Sequence, residues 1–468
     1  MGSIQTADVK YSSDGDPTLR LMSSTSTVFR AAFVLVAAVV IIWSQHYAYV
    51  GDESFHLLAA KLISSGHKPY ADFFYQHPPL FVYLVAGIFR IVGASWRAVH
   101  LLSAFAVIGV IAMAAGYARD LFRDESYRWL SSALIALLIG LNCYVLVFAT
   151  TGLPFGFSLL SLCAALTFSR RRTRSGLFFT GLFAAAAASA SFLTAPALIV
   201  FLFWLARREK AKSLWFVGGV IVAFIPLLIL LIASPDKTLQ DVFVYHFADR
   251  PSLGWRFNLG QTIGFVASLQ GMMLIVPALA AVWFRRDDDV RLCAWIAIAL
   301  MVPIAFARTT FSFYFLVATP FLAILAGTGL HELAQRTRYS RLVIPLTASL
   351  YLVGLFGLRY VWRWQATYWN HQLVTVAKND VERCAPSGNF YAPEAVYFEG
   401  RHLPPQGMEN RFDPHFPGDQ RLREGRFDAV LIESTDPRVA GFQLSRFYRR
   451  IESSDNGASG MLVLCDRR

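Results

Sequence analysis

Apolar runs long enough to cross a bilayer recur from residue 31 to residue 361, and few folds can accommodate that pattern. A helix needs about 20 mostly apolar residues to span the hydrocarbon. By that measure crossings are predicted at Ala31–Tyr47, Ala98–Ala118, Trp129–Phe148, Leu153–Phe168, Gly176–Ala188, Phe192–Ala206, Leu214–Ala233, Ile263–Phe284, Leu292–Ala307, Phe311–Leu330 and Leu342–Val361. The expected fold is therefore an all-α polytopic membrane protein of about eleven transmembrane helices. Composition points the same way, because 55% of the chain is hydrophobic and only 16% charged, against about 25% charged in soluble domains.

Loop charge decides two ambiguous stretches. Gly176–Ala206 is long for one crossing and short for two, but basic clusters flank both ends, at Arg170–Arg174 and Arg207–Lys210. Both clusters can be cytoplasmic only if the chain crosses twice. Leu80–Val92 is short and carries Arg90, so it reads as an interfacial helix. With these choices the Arg/Lys-rich turns share one side, while the opposite turns at Ala149–Gly152 and Ser189–Ser191 carry no charge. That predicts a cytoplasmic amino terminus and, with an odd number of crossings, an extracytoplasmic carboxyl terminus.

Residues 1–27 are polar and aperiodic, and are expected to be a disordered cytoplasmic tail with no cleavable signal. Residues 28–361 form the membrane domain, with a first outward loop at 48–97. Residues 362–468 balance 14 basic with 14 acidic residues, so the net +12 belongs to the membrane part. Basic charge of that origin follows topology and calls for no nucleic acid. The tail alternates one helix-like stretch ending at Cys384 with strand-like runs "NFYAPEAVYF", "FDAVLIES" and "GMLVLC", which predicts a small α/β domain.

The first outward loop holds the most distinctive chemistry, "YVGDESFHLLAAKLISSGHKPYADFFYQHPPL", Tyr49–Leu80. One reading is structural: Asp52 and Glu53 begin a helix, where acids favour the positive end of the dipole. The other is catalytic. An acid pair after the first span, a helix ending in Gly, "KPYADF" and then "HPPL" before an amphipathic helix resembles the dolichyl-phosphate-mannose protein mannosyltransferase superfamily. These are polytopic glycosyltransferases of the C-type fold and include bacterial lipid A aminoarabinose transferases. The motif is confined to Gly51–Leu80, although the order of spans matches over most of the membrane part.

The resemblance implies an enzyme of the bacterial plasma membrane. It would move a sugar from a polyprenyl-phosphate donor to a hydroxyl of an envelope glycan, lipid or protein on the outer face. Asp52 then matches the first acid of the motif as general base, with Glu53 assisting or orienting. His77 stands where the aminoarabinose transferases carry a phosphate-approaching lysine, and can donate hydrogen bonds but is charged only part of the time. In the outward segment Ser234–Thr262, His246, Arg250 and Arg256 sit among aromatics, suited either to phosphate or to headgroup anchoring. Several relatives place a second, metal-associated acid in the next outward loop. This chain has Gly152 there, so no metal is assigned and a divalent cation stays open.

Walker loops, dinucleotide fingerprints, zinc-spaced His/Cys clusters and internal repeats do not occur in the sequence. A lipid or glycolipid transporter or flippase is the alternative, but it favours ionisable residues within spans and related halves, and neither is visible. A non-catalytic envelope assembly protein would use the acids only as caps. Cys143, Cys163 and Cys293 fall in apolar runs as packing residues. Cys384 and Cys465 both lie in the tail, where a disulfide and two free buried thiols are open alternatives.

Overall fold

The computed structural model describes residues 17–46, 48–122, 128–209, 212–337, 340–357, 371–433, 436–450 and 461–466. In chain order the helices are α1 (Pro17–Ser44), α2 (Glu53–Ser64), α3 (Leu80–Val92), α4 (Trp96–Leu121), α5 (Arg128–Gly140), α6 (Phe155–Ser169), α7 (Arg174–Ala190), α8 (Ala195–Arg208) and α9 (Ser213–Ala233). The short α10 (Pro235–Leu239) runs into a π-helical turn, Gln240–Asp249. It is followed by α11 (Trp255–Val266), α12 (Leu269–Phe284), α13 (Asp288–Ala305), α14 (Thr319–Arg336) and α15 (Ser340–Val353).

Apolar side chains on the outside of this body face no protein: Ile232, Trp283 and Phe306 are 83, 81 and 85% exposed. A belt of that kind is stable only against lipid. By contrast α14 is buried on nearly every side from Thr319 to Leu330 and forms the centre of the bundle. Helices α7 and α9 approach until a methyl on Gly181 would lie 2.0 Å from the Phe216 carbonyl, and one on Gly219 2.1 Å from that of Phe178. The alanine- and glycine-rich faces thus serve close backbone packing.

Four helices among the described residues are long and apolar enough to cross a membrane unaided, at Ser26–Ser44, Trp96–Leu121, Ser213–Ala233 and Ser312–Arg336. The run expected as one crossing at Ile263–Phe284 is instead bent by 74° between α11 and α12. Ser268 supplies the break, its hydroxyl accepting the Gly271 N–H at 2.9 Å to begin a new helix. Eleven crossings are therefore not reached by length alone, because several apolar helices, such as Arg128–Gly140 and Phe155–Ser169, are shorter. Gly176–Ala206 forms two helices, α7 and α8, joined at Phe192–Thr194. Helix α1 begins at Pro17, within the stretch expected to be disordered, and residues 1–16 lie outside the described residues.

The tail forms α16 (His371–Cys384), β1 (Phe390–Tyr391), α17 (Glu394–Glu399), α18 (Gly418–Arg423), β2 (Ala429–Glu433), α19 (Pro437–Gly441), β3 (Tyr448–Arg450) and β4 (Met461–Asp466). The sheet order is β1-β2-β4-β3, with β1 parallel to β2 and the other pairs antiparallel. Ala429 and Leu431 face one core, and Val430 and Ile432 another, so β2 reads as a continuous apolar run covered on both faces. The expected strand "NFYAPEAVYF" yields only two strand residues before it turns helical after Pro393. Proline suits the position before a helix start and donates nothing to a ladder. Cys384 and Cys465 are disulfide-bonded, with Cα atoms 5.5 Å apart, tying the start of this unit to its last strand.

The core beneath the sheet is shared with the first outward loop: Phe55, Leu58, Tyr75 and Phe89 pack in one cluster with Val374, Val381, Tyr397 and Leu431. Lys61 on α2 reinforces the docking. Its ammonium donates to the carbonyls of Tyr397, Phe398 and Gly400 at 2.9, 3.0 and 2.7 Å, capping the C-terminal end of α17. Glu399 in turn accepts from Tyr49, from His371 at 2.7 Å and from Thr375 at 3.1 Å.

Candidate functional site

The site is built on the loop that the sequence marks out. Just past the end of α2, Gly66, with a φ of +102°, closes the last turn as Gly66 N–H and His67 N–H return to the Ile63 and Leu62 carbonyls, each at 3.0 Å. "KPYADF" then folds on itself. Asp72 accepts the Lys68 N–H at 2.7 Å and Tyr70 N–H donates to the Phe73 carbonyl at 2.9 Å. The Tyr70 hydroxyl donates to the His77 carbonyl at 2.7 Å, which fixes His77 over the first turn of α2. Two prolines then start α3.

The adjacent acids Asp52 and Glu53 face different surroundings. Glu53 is completely buried. Its carboxylate pairs with His100 on α4 and accepts the backbone N–H groups of Val50 and Gly152 at 2.9 and 3.0 Å. The other ring nitrogen of His100 meets the Ser44 carbonyl at 2.6 Å, so both ring nitrogens face acceptors. Glu53 thus joins four chain segments. It also explains the glycine at 152, since a methyl there would lie 2.8 Å from the Glu53 carboxylate oxygen. A second acid cannot occupy that place beside Glu53, and among the described residues no three His, Cys, Asp or Glu side chains group as cation ligands. The residues do not fit a two-acid metal site built from Glu53 and position 152.

Asp52 stands at the position preceding α2 but makes no capping bond through its side chain. It is solvent-accessible, yet the surrounding protein desolvates it and pushes its carboxyl above the ordinary range. Arg411 and Arg250 counter this, in that order, and Glu394 adds to it. Arg250 comes from the end of the π-helical turn, where its N–H bonds the Tyr245 carbonyl at 2.7 Å. Its guanidinium donates to the Tyr314 hydroxyl at 2.7 Å. Arg308 holds the same loop by donating to the Phe247 and Ala248 carbonyls at 2.6 Å.

His77 and His246 approach to 5.5 Å between ring centroids, and His56 lies 5.0 Å from His77 on the other side. Burial lowers all three, His56 to about 3 and His246 to about 4. His77 falls well below the usual histidine range, helped by the neighbouring histidines and Arg250. At neutral pH the row is uncharged. The single N–H of neutral His246 is engaged by the Gln76 carbonyl, leaving it no donor for an anion. Arg256 lies apart from this group, exposed on the first turn of α11 and stacked over Trp255 at 5.5 Å. The structure thus gathers Asp52, His77, His246 and Arg250, turns Glu53 inward, and leaves Arg256 outside. Tyr314, Tyr245, His100, Glu394 and Arg411 join from distant segments. No spacing in the sequence announces them, although the aromatic run "FSFYF" at Phe311–Phe315 is a faint signal for Tyr314.

On the far side of Tyr70–Phe74 lies a cavity of about 530 Å³ lined by Asp72, Asp241, Glu409, Asp413, Lys237 and His415. Burial pushes Asp241 up to about 7, against the opposing hydrogen bond from the Tyr75 N–H. The native state therefore holds this proton more tightly than the unfolded chain. Stability falls as pH rises from the ordinary carboxylate range through about 7. Asp241→Asn keeps the acceptor for Tyr75 without the charge. It is expected to raise the melting temperature at pH 8 and leave it unchanged near pH 4, as measured by thermal unfolding at both pH values. Equal melting curves for the two proteins at pH 8 would show that Asp241 is not desolvated.

No protein-family model and no curated protein sequence matches the chain. Its fold is nevertheless similar to solved structures. The crystal structure of ArnT from Cupriavidus metallidurans bound to undecaprenyl phosphate aligns at a TM-score of 0.64 over 92% of this chain and 97% of that one, with 14% identity. The apo oligosaccharyltransferase of Archaeoglobus fulgidus aligns at 0.49 over 83% of this chain and 61% of that one, with 13% identity. The ArnT alignment extends over the membrane body and the tail alike, and the fold is the C-type glycosyltransferase fold that the loop motif implied.

Proposed function

We propose that the chain is a membrane glycosyltransferase that moves a sugar from a polyprenyl-phosphate donor to a hydroxyl acceptor at the extracytoplasmic face. The observation that carries this reading is one solvent-accessible carboxylate, Asp52, set beside a guanidinium, Arg250, that is itself oriented by Tyr314. In the reaction, Asp52 accepts the proton of the acceptor hydroxyl as its oxygen bonds to the anomeric carbon. The bond from that carbon to the phosphate oxygen breaks, and polyprenyl phosphate leaves with the electron pair. Arg250 receives the charge that develops on the phosphate, and His77, neutral, offers a hydrogen bond. Three residues after His77, Leu80 borders an apolar cavity of about 550 Å³ between α4, α6, α7 and α9, a surface suited to isoprenoid. The ArnT structure that shares this fold holds undecaprenyl phosphate.

Purified protein given radiolabelled polyprenyl-phosphate sugars and envelope extract is expected to transfer label. Movement of intact lipid across a vesicle without transfer would instead favour a flippase. The topology has its own test. In the eleven-crossing arrangement, reporters fused after Arg174 and Lys212 read cytoplasmic and one fused after Arg468 reads extracytoplasmic. A cytoplasmic carboxyl terminus would put the tail and Asp52 on the wrong side for this chemistry.

A further inference from the structure

The segment "ENRF", Glu409–Phe412, belongs to the tail yet lies against the first outward loop. Asn410 donates to the Gln76 side-chain oxygen at 2.9 Å and reaches the Phe74 carbonyl at 3.4 Å. Phe412 meets Phe55 edge to face at 6.5 Å, and Phe55 stands on the first turn of α2, three residues after Asp52. Gln76 is also the residue whose carbonyl engages His246. The flanking residues of Arg411 are thus pinned to the first outward loop and to the first turn of α2, which Asp52 precedes. Arg411 donates its backbone N–H to Glu394 at 3.5 Å, its guanidinium makes a loose contact with the same carboxylate at 3.7 Å, and its side chain is 56% exposed. An ion pair of that exposure contributes little to stability, and the guanidinium lies over the Phe412 ring at 5.2 Å, the same ring that meets Phe55 near the start of α2.

We propose that Arg411 is a positioning residue for Asp52, a second guanidinium delivered to the site by the docked segment Asn410–Phe412 of the C-terminal unit. Arg250 and Arg411 then divide the work. Arg250 is held by Tyr314 and, in the proposed reaction, serves the donor. Arg411 comes from the C-terminal unit and keeps Asp52 in the carboxylate form that can accept a proton. Around Asp52 the charged and titratable groups are Arg250 and Tyr245 from the outward loop, Tyr314 from the segment before α14, and Arg411 and Glu394 from the C-terminal unit. Glu53, next in the chain, is turned away to His100. Arg411 is the strongest of the charges opposing desolvation at Asp52, and Glu394 both binds it and acts against it. The two therefore have opposite effects, which makes the arrangement testable residue by residue.

The inference rests on Asp52 being the working carboxylate, so its test reads Asp52 directly and needs no substrate. Infrared titration of the full-length purified protein gives the carboxylic acid band that Asp52→Asn abolishes, and its midpoint is compared among variants. Arg411→Met is expected to move the midpoint upward, the effect of removing an opposite charge. Arg411→Lys restores it, and Glu394→Gln moves it downward. The acid limb of sugar transfer follows the same order. An unmoved midpoint in Arg411→Met, or equal shifts in the Met and Lys variants, would overturn the assignment. Absence of any sugar transfer by the wild-type protein would count against the transferase reading while leaving the titration result intact.

Discussion

Asp52→Asn is expected to reduce sugar transfer by about 10²- to 10⁴-fold, the usual effect of removing a general base, without lowering protein yield or melting temperature. The second half of that expectation comes from the site. Asp52 makes no side-chain capping bond, it is accessible to solvent, and its ionised form is held against unfavourable desolvation. Asparagine keeps the shape and removes the charge. Donor binding should persist, because the guanidinium assigned to the phosphate is anchored by Tyr314 and not by Asp52. Turnover measured alongside binding of a polyprenyl phosphate separates the two effects. Wild-type turnover in the Asn variant would remove Asp52 from the mechanism and, with it, the central observation behind the proposed function.

The neighbouring acid should behave in the opposite way. Glu53→Ala strands the His100 ring and the N–H groups of Val50 and Gly152 in a fully buried setting. Leaving buried hydrogen-bonding groups without their partner destabilises by about 1–3 kcal/mol each. The same junction can be attacked from the other side. In Gly152→Ala the new methyl would lie 2.8 Å from a Glu53 carboxylate oxygen and 3.0 Å from Leu57 Cδ2, forcing α2 and the Phe148–Gly152 turn apart. Both variants are expected to lower the melting temperature and the yield of folded protein, and donor binding should fall in proportion to the folded fraction. If Glu53→Ala folded with unchanged stability but lost transfer as completely as Asp52→Asn, Glu53 would belong with the chemistry instead of the scaffold.

Much of the fold was legible because its physics is local. An apolar run in a polar chain declares a membrane helix from composition alone, and "FDAVLIES" and "GMLVLC" declare strands by their density of branched residues. Cys384 and Cys465 were recognisable as a possible pair, since only they fall in the tail, although two free thiols fitted the sequence almost as well. Other features escaped for equally physical reasons. The 74° break at α11–α12 depends on Ser268 capping a new helix inside a run that reads as continuously apolar. "APEAVYF" has strand-like residues but turns helical after Pro393, and the result is held by Lys61, more than 300 residues earlier in the chain.

The site divides along the same line. The sequence by itself singled out one loop, Gly51–Leu80, as the candidate for the chemistry, because its acids, histidine and prolines stand in an order that resembles the glycosyltransferase motif. It also put Arg250 among the candidates for phosphate by residue type. Only the tertiary structure decided which of two adjacent carboxylates meets solvent. Successive residues at the start of a helix point in directions about 100° apart, so Asp52 meets solvent while Glu53 turns inward to His100 and Gly152. It likewise decided that the three histidines are uncharged, that Arg256 stands apart, and that Arg411 enters the site from the far end of the chain. Burial and electrostatic proximity are properties of the folded surroundings, set by residues hundreds of positions away, and no local pattern in a sequence can encode them.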